Sequence, residues 1–214
     1  LSEPDVALTD CALALECVLL TWLLNRNGRP PGTLHRLFAI FFICAGFGAL
    51  AGGTVHGFFP DARSIGGAVL WRLALLALGG STFAAWSIGA RLVFSEKTVR
   101  IVQLIAGVEC AAYAIVVLAI DHRFAIAIVN YAPAIVFLGV AFLVLDRRTP
   151  HRSYRAGGLG VLLTVLAAVV QRLEIGIHAL HLSHDAFYHL IQMTALVLIF
   201  LAGRQVILAS APAT

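Results

Sequence analysis

The chain has 214 residues, 60% of them hydrophobic and only 12% charged, with a mean hydropathy of +0.93. A soluble domain carries about twice that charge, so the composition excludes a water-soluble fold and points to a polytopic membrane protein. The net charge of +4 does not indicate nucleic acid, because the arginines recur in alternate loops rather than on one face.

Seven helices of about 20 residues would use about 140 residues, leaving short loops and no soluble domain. The expected fold is therefore all-α, a single seven-helix transmembrane bundle over residues 1–214. Span one is expected over Ala7–Asn25, carrying Asp10 and Glu16, with a turn-rich basic loop after it. Span two, Leu37–Phe59, ends in Gly52-Gly53-Thr54-Val55-His56-Gly57. Span three, Ile65–Phe94, is long, holds Arg72 and Arg91, and is expected to break at Gly79-Gly80. Span four, Ile101–Ile120, contains Glu109, and Asp121-His122-Arg123 turns into span five, Phe124–Leu145, where Pro133 is expected to kink the helix. The most basic loop, 146–155, precedes an apolar run over 156–177 and a last one over 184–208. The four cysteines fall inside spans without metal-binding spacing and read as small packing residues.

Between the last two runs lies a polar stretch, 171–192, with four of the eight histidines. A turn is expected near His178–Leu182, with Ser183 as N-cap of the last helix and Asp185 in its first turn. Eleven of the fifteen Lys and Arg residues fall on one side of this topology and four on the other. The positive-inside rule then puts the N-terminus outside and the C-terminus in the cytoplasm, with the inner membrane of a bacterium as the expected location. The same assignment gathers Asp10, His56, His178, His181, His184, Asp185 and His189 toward the outer face.

Two imidazoles and a carboxylate, from His56, His189 and Asp185, with a third imidazole from His181 or His184, match the ligand set of a zinc site. An open position would let bound water ionise and attack a carbonyl carbon, and Asp10 could orient a ligand or act as the base. Gly48, Gly52 and His56 are four apart and share one face of span two; the two glycines allow close helix approach. Glu16 and Glu109, deep in their spans, could form a proton path, a ligand pair, or structural carboxyls bonded to Tyr113 or Asn130. Arg72 could pair with Asp61 or Asp10. His122 reads as a solvated surface residue.

One histidine late in span two and more at the start of span seven, on the side of the N-terminus, resemble the CREST superfamily, which includes alkaline ceramidases and progestin/adipoQ receptors. In place of that family's Ser-xxx-His, span two reads Gly52-Gly53-Thr54-Val55-His56, and in place of its His-xxx-His, span seven reads Asp185-Ala186-Phe187-Tyr188-His189. The resemblance implies a zinc-dependent membrane hydrolase of lipid amides or esters.

Three functions compete on the sequence. The first is that hydrolase, with membrane lipids as its partners and substrates. The second is a non-enzymatic subunit of an electron-transfer or photosynthetic assembly, with other membrane subunits as partners and histidines binding haem or pigment. The third is a transporter or receptor with a cavity near Glu16, Glu109 and Arg72. A retinal protein is excluded, since the only lysine, Lys97, lies in a loop between spans.

Overall fold

A computed structural model describes residues 1–26, 32–59, 61, 64–176 and 182–210. Among the described residues seven helices follow one another: α1 (Pro4–Asn25), α2 (Thr33–Phe58), α3 (Ile65–Val93), α4 (Glu96–Ala119), α5 (Phe124–Arg148), α6 (Arg152–Arg172) and α7 (His184–Ala209). Each is long and apolar enough to cross a membrane, so the chain is an all-α integral membrane protein, as its composition predicts.

The helices do not share the core equally. α1, α2, α3, α5, α6 and α7 pack in sequence, and α7 returns to α1, so six helices close a ring. α4 stands outside it, packed on α3. Its buried residues are only Val99, Ala106, Tyr113 and Val117, while Leu104, Ile105, Val108 and Ile115 face outward. The main core lies toward the end of the ring where α1 finishes and α2 begins. There Phe38, Phe41, Phe42, Ile88, Leu138 and Phe142 are fully buried, and the Phe41 and Phe42 rings meet edge to face.

Close approach is set by glycines. α3 runs unbroken through Gly79-Gly80, contrary to the expected break. A Cβ at Gly79 would lie 2.8 Å from the Tyr113 ring, and one at Gly80 2.7 Å from Cys44 Sγ. These glycines make room for neighbours instead of ending the helix. Tyr113 then donates to the Leu75 carbonyl at 2.9 Å and fastens α4 to α3. Asn130 donates to Thr82 Oγ1 at 3.0 Å. Of the three alternatives for Glu16 and Glu109, bonding to Tyr113 or Asn130 gives way to these partners on α3.

α6 stops earlier than its apolar run suggests. Ile175 N–H reaches the Val170 carbonyl at 3.0 Å and Glu174 N–H reaches Gln171 at 3.2 Å, with Glu174 at φ 54°. This is a Schellman ending, which satisfies the last carbonyls by placing one residue in the left-handed region. α7 restarts with Ser183, whose Oγ accepts from Ala186 N–H at 3.2 Å, and with Asp185 in its first turn. The N-cap is therefore the one predicted; His178 and His181, in the expected turn, lie outside the described residues.

The α4–α5 turn is held by Arg123, which donates to Asp121 through Nε at 2.9–3.0 Å. The Arg123 hydrogen bonds hold the Asp121 carboxyl below its ordinary range. His122 is exposed, as expected, but its carbonyl accepts from Trp71 Nε1 at 2.7 Å and so ties this turn to α3.

Candidate functional site

The ring encloses a cavity of about 430 Å³, lined by residues from all six of its helices and by none from α4. From His56 down to Ala45 on α2 the lining covers about 16 Å at 1.5 Å per residue. That is about half of a bilayer's hydrocarbon thickness.

The upper part is polar. Asp10 and His189, 4% and 8% exposed, meet across the α1–α7 seam with Oδ1 and Nε2 3.1 Å apart. Thr9 Oγ1 lies 3.0 Å from His189 Nδ1. The Thr9 hydroxyl also lies within 2.9 and 3.0 Å of the Asp5 and Val6 carbonyls of its own helix turn. Its single proton goes to those carbonyls, so its oxygen accepts from His189 Nδ1–H. The Nε2 edge then faces Asp10 with one proton to share between Nε2 and Oδ1. Among the described residues, no other Asp, Glu, His, Lys or Arg side chain on the cavity wall sits so deeply buried.

The seam is fixed from above. Asp5 Oδ2 accepts from Ser183 N–H at 2.9 Å, placing a carboxylate at the N-terminus of α7 where the helix dipole favours it. Positions 5, 9 and 10 of α1 thus form polar contacts with 183 and 189 of α7. Gly53 allows α1 to approach α2: a Cβ there would lie 2.7 Å from Asp10 Cβ and 3.3 Å from the Ala7 carbonyl. Gly52 plays a different part. A Cβ there would meet Asp10 Oδ2 at 3.5 Å, an ordinary contact lying over the carboxylate. The face shared by Gly48, Gly52 and His56 proves to be a cavity wall, with Gly48 also placed against the Ala74 carbonyl of α3.

His56 closes the mouth. Its Nδ1 bonds Glu3, and its carbonyl accepts from Glu3 N–H at 3.2 Å, so residues ahead of α1 cap the end of α2. From His56 a chain of rings crosses the cavity: His56 to Trp71 at 6.0 Å, Trp71 to Phe124 at 6.3 Å, Phe124 to Tyr188 at 6.1 Å, and Tyr188 to His189 at 5.1 Å. All but the tilted Trp71–Phe124 pair are edge-to-face contacts, which are favourable beyond the area they bury. Arg172 and Gln171 complete the rim, and Gln171 Nε2 lies 3.4 Å from Asp185 Oδ1. Lower down, Gln192 Nε2 lies 3.4 Å from Thr164 Oγ1, while Gln192 Oε1 has no hydrogen-bond partner among the described residues.

Of the residues singled out from the sequence, Asp10, His56, Asp185 and His189 all line this cavity. His184 starts α7 but does not line it; its Nε2 lies 3.4 Å from Asp185 Oδ2. His181 lies outside the described residues. Arg72 donates to the Ala68 carbonyl of its own helix at 3.0 Å, and it is His189 that engages Asp10. Glu16, Glu109 and Arg72 do not line this cavity, although Arg72 adjoins the lining residue Trp71. The sequence reading missed Thr9, Glu3, Trp71 and Tyr188. Thr9 carried a usable signal, since it adjoins Asp10 at the outer end of a span.

A zinc ion needs three protein ligands or more. Asp10 and His189 converge, but His56 and Asp185 turn to Glu3, Gln171 and His184. Among the described residues no group of three or more His, Cys, Asp or Glu side chains could hold a metal ion. The expected ligand set is therefore not assembled by those of its members that are described. Both nitrogens of His189 are engaged, by Thr9 and Asp10, so an axial ligand to haem or chlorophyll would have to come from another histidine.

The chain matches no curated protein and no solved structure. The family model described as a family of unknown function, DUF6962, matches residues 6–208. With nearly its whole length covered, seven helices and the central cavity included, the chain belongs to the DUF6962 family.

Proposed function

We propose that this protein is a membrane-embedded hydrolase of a lipid ester or amide, working in the outer half of the bilayer with Asp10 as its base. The observation that carries this reading is a carboxylate and an imidazole, paired and buried, on the wall of a lipid-sized cavity. Buried ionisable groups within a membrane are costly and mark functional sites. The eleven-to-four charge split supports placing this end outside.

In this reading His189, held by Thr9, takes the shared proton from Asp10 Oδ1 onto Nε2 as the reaction begins, while Oδ2 lies toward Gly52 and the cavity. Asp10 takes a proton from water as the water oxygen bonds to the substrate carbonyl carbon. When the tetrahedral intermediate collapses, the carbon–oxygen or carbon–nitrogen bond breaks and the same proton passes to the leaving alcohol or amine. Arg172 at the rim offers positive charge toward the headgroup. No step is routed through zinc, because the described residues supply two ligands rather than three. The likeness to the CREST superfamily, in helix number and in the histidines of the second and seventh spans, supports the same reaction class.

The test is reconstitution in proteoliposomes with a panel of lipid esters and amides, reading released fatty acid by mass spectrometry. Release is expected from the wild type and is expected to fall about a hundredfold or more in Asp10→Asn, the usual effect of removing a general base. No release from any member of the panel, or release unchanged in Asp10→Asn, contradicts the proposal.

A further inference from the structure

The cavity also limits what can enter it. Its polar groups gather at one end, where His56, Arg172 and Asp185 surround the mouth and Asp10 and His189 lie just below. Toward mid-membrane Ser81 donates to the Phe41 carbonyl and Thr164 to the Gly160 carbonyl, each at 3.2 Å, and the other polar side chains on the wall are Tyr131 and Gln192, whose Oε1 has no partner among the described residues. What remains there is hydrocarbon, ending on Ile135 and Leu196, both 1% exposed. The space exists because Ala45, Gly48, Ala49, Ala132 and Ala168 stand where larger side chains would fill it. A volume of about 430 Å³ over a depth of about 16 Å is a narrow shaft on the scale of an alkyl chain.

We infer that the cavity binds a single-chain amphiphile, its head at the His56–Arg172 mouth and its tail running down to Ile135 and Leu196. This rests on the reading of the cavity as the substrate site, but not on hydrolysis. A diacyl lipid would need room for a second chain inside the same closed ring of helices. The Asp10–His189 pair then sits at the junction of head and tail, where an ester or amide bond of such a molecule lies. The floor sets an upper limit on tail length.

Trp71, on the cavity wall beside His56 and bonded to the His122 carbonyl of the α4–α5 turn, lies toward the mouth and provides the readout. A variant carrying Trp22→Phe and Trp86→Phe keeps it as the only tryptophan, since the chain has three. In nanodiscs of unbrominated lipid, a monoacyl glycerophospholipid brominated in the upper half of its chain is expected to quench Trp71 saturably. The same lipid brominated near the chain end is expected to quench it less. Ala168→Phe and, separately, the milder Ala132→Leu are expected to remove or weaken the saturable component while the protein remains folded. A diacyl phospholipid is expected not to displace the probe. Absence of saturable quenching, equal quenching by both probes, or displacement by the diacyl lipid overturns the inference. Saturable quenching with no hydrolysis would refute the catalytic reading alone, and hydrolysis without it would refute this inference alone.

Discussion

His189 Nε2 and Asp10 Oδ1 lie 3.1 Å apart across the α1–α7 seam, in the wall of the six-helix ring. Because Thr9 occupies the other imidazole nitrogen, neither ring edge is free to turn away. The pair therefore has two consequences, one for stability and one for chemistry. Removing either partner leaves a buried polar group unpaired, which costs about 1–3 kcal/mol. Removing both costs less than the sum. In thermal unfolding in detergent, the Asp10→Ala/His189→Ala cycle should give a coupling of about 1–3 kcal/mol. Additive single and double variants would mean that the pair is not formed.

Two adjacent glycines of α2 should behave differently. At Gly53 an alanine Cβ would lie 2.7 Å from Asp10 Cβ, so Gly53→Ala must push α1 away and should destabilise by about 1–3 kcal/mol. At Gly52 the added methyl meets Asp10 Oδ2 at an ordinary 3.5 Å. Gly52→Ala should therefore fold normally yet cover the carboxylate and lower lipid turnover. Melting temperature and fatty-acid release, measured on both variants, separate the two effects. Gly107, where an added methyl would meet nothing within 4 Å, is the control: Gly107→Ala should be neutral or stabilise by up to about 1 kcal/mol.

The outer position of α4 gives a further expectation. Tyr113 is 5% exposed, fills the hollow at Gly79 and bonds the Leu75 carbonyl. Tyr113→Ala should loosen α4 at a cost of about 3–5 kcal/mol, the range for truncating a large buried aromatic. No residue of α4 lines the cavity, so saturable Trp71 quenching should survive below the melting temperature. Loss of binding in a still-folded Tyr113→Ala protein would show that α4 shapes the cavity after all.

Glu174 ends α6 with a left-handed backbone at φ 54°, a conformation that costs a non-glycine residue about 1–2 kcal/mol. Glu174→Gly should raise stability by about 1 kcal/mol, read as a higher melting temperature. An unchanged or lower value would mean that the Glu174 side chain makes a contact that offsets the strain.

Much of this was legible in the sequence because hydrocarbon imposes simple rules. Long apolar runs with charged ends give seven spans, and Ser183 followed by Asp185 marks the start of α7. Asp10, His56, Asp185 and His189 stand out because ionisable groups near a membrane core need a reason to be there. Their partners were harder to read. Glu3 reaches His56, and Thr9 reaches His189, across 53 and 180 residues of sequence, and no local periodicity encodes such pairings. The exclusion of α4 from the ring was also hidden, since a lipid-facing helix and a cavity-lining helix are equally apolar. Gly79-Gly80 misled for a related reason. In water a glycine pair weakens a helix, but between packed membrane helices it makes room for a neighbouring ring.

The most direct test of the account measures binding and turnover on one variant, His189→Gln. Gln keeps a donor toward Asp10 but cannot hold or share a proton as imidazole does. The account predicts saturable Trp71 quenching close to wild type and fatty-acid release lowered about a hundredfold or more. Release at the wild-type rate would contradict the claim that the Asp10–His189 pair is the reactive centre of the cavity.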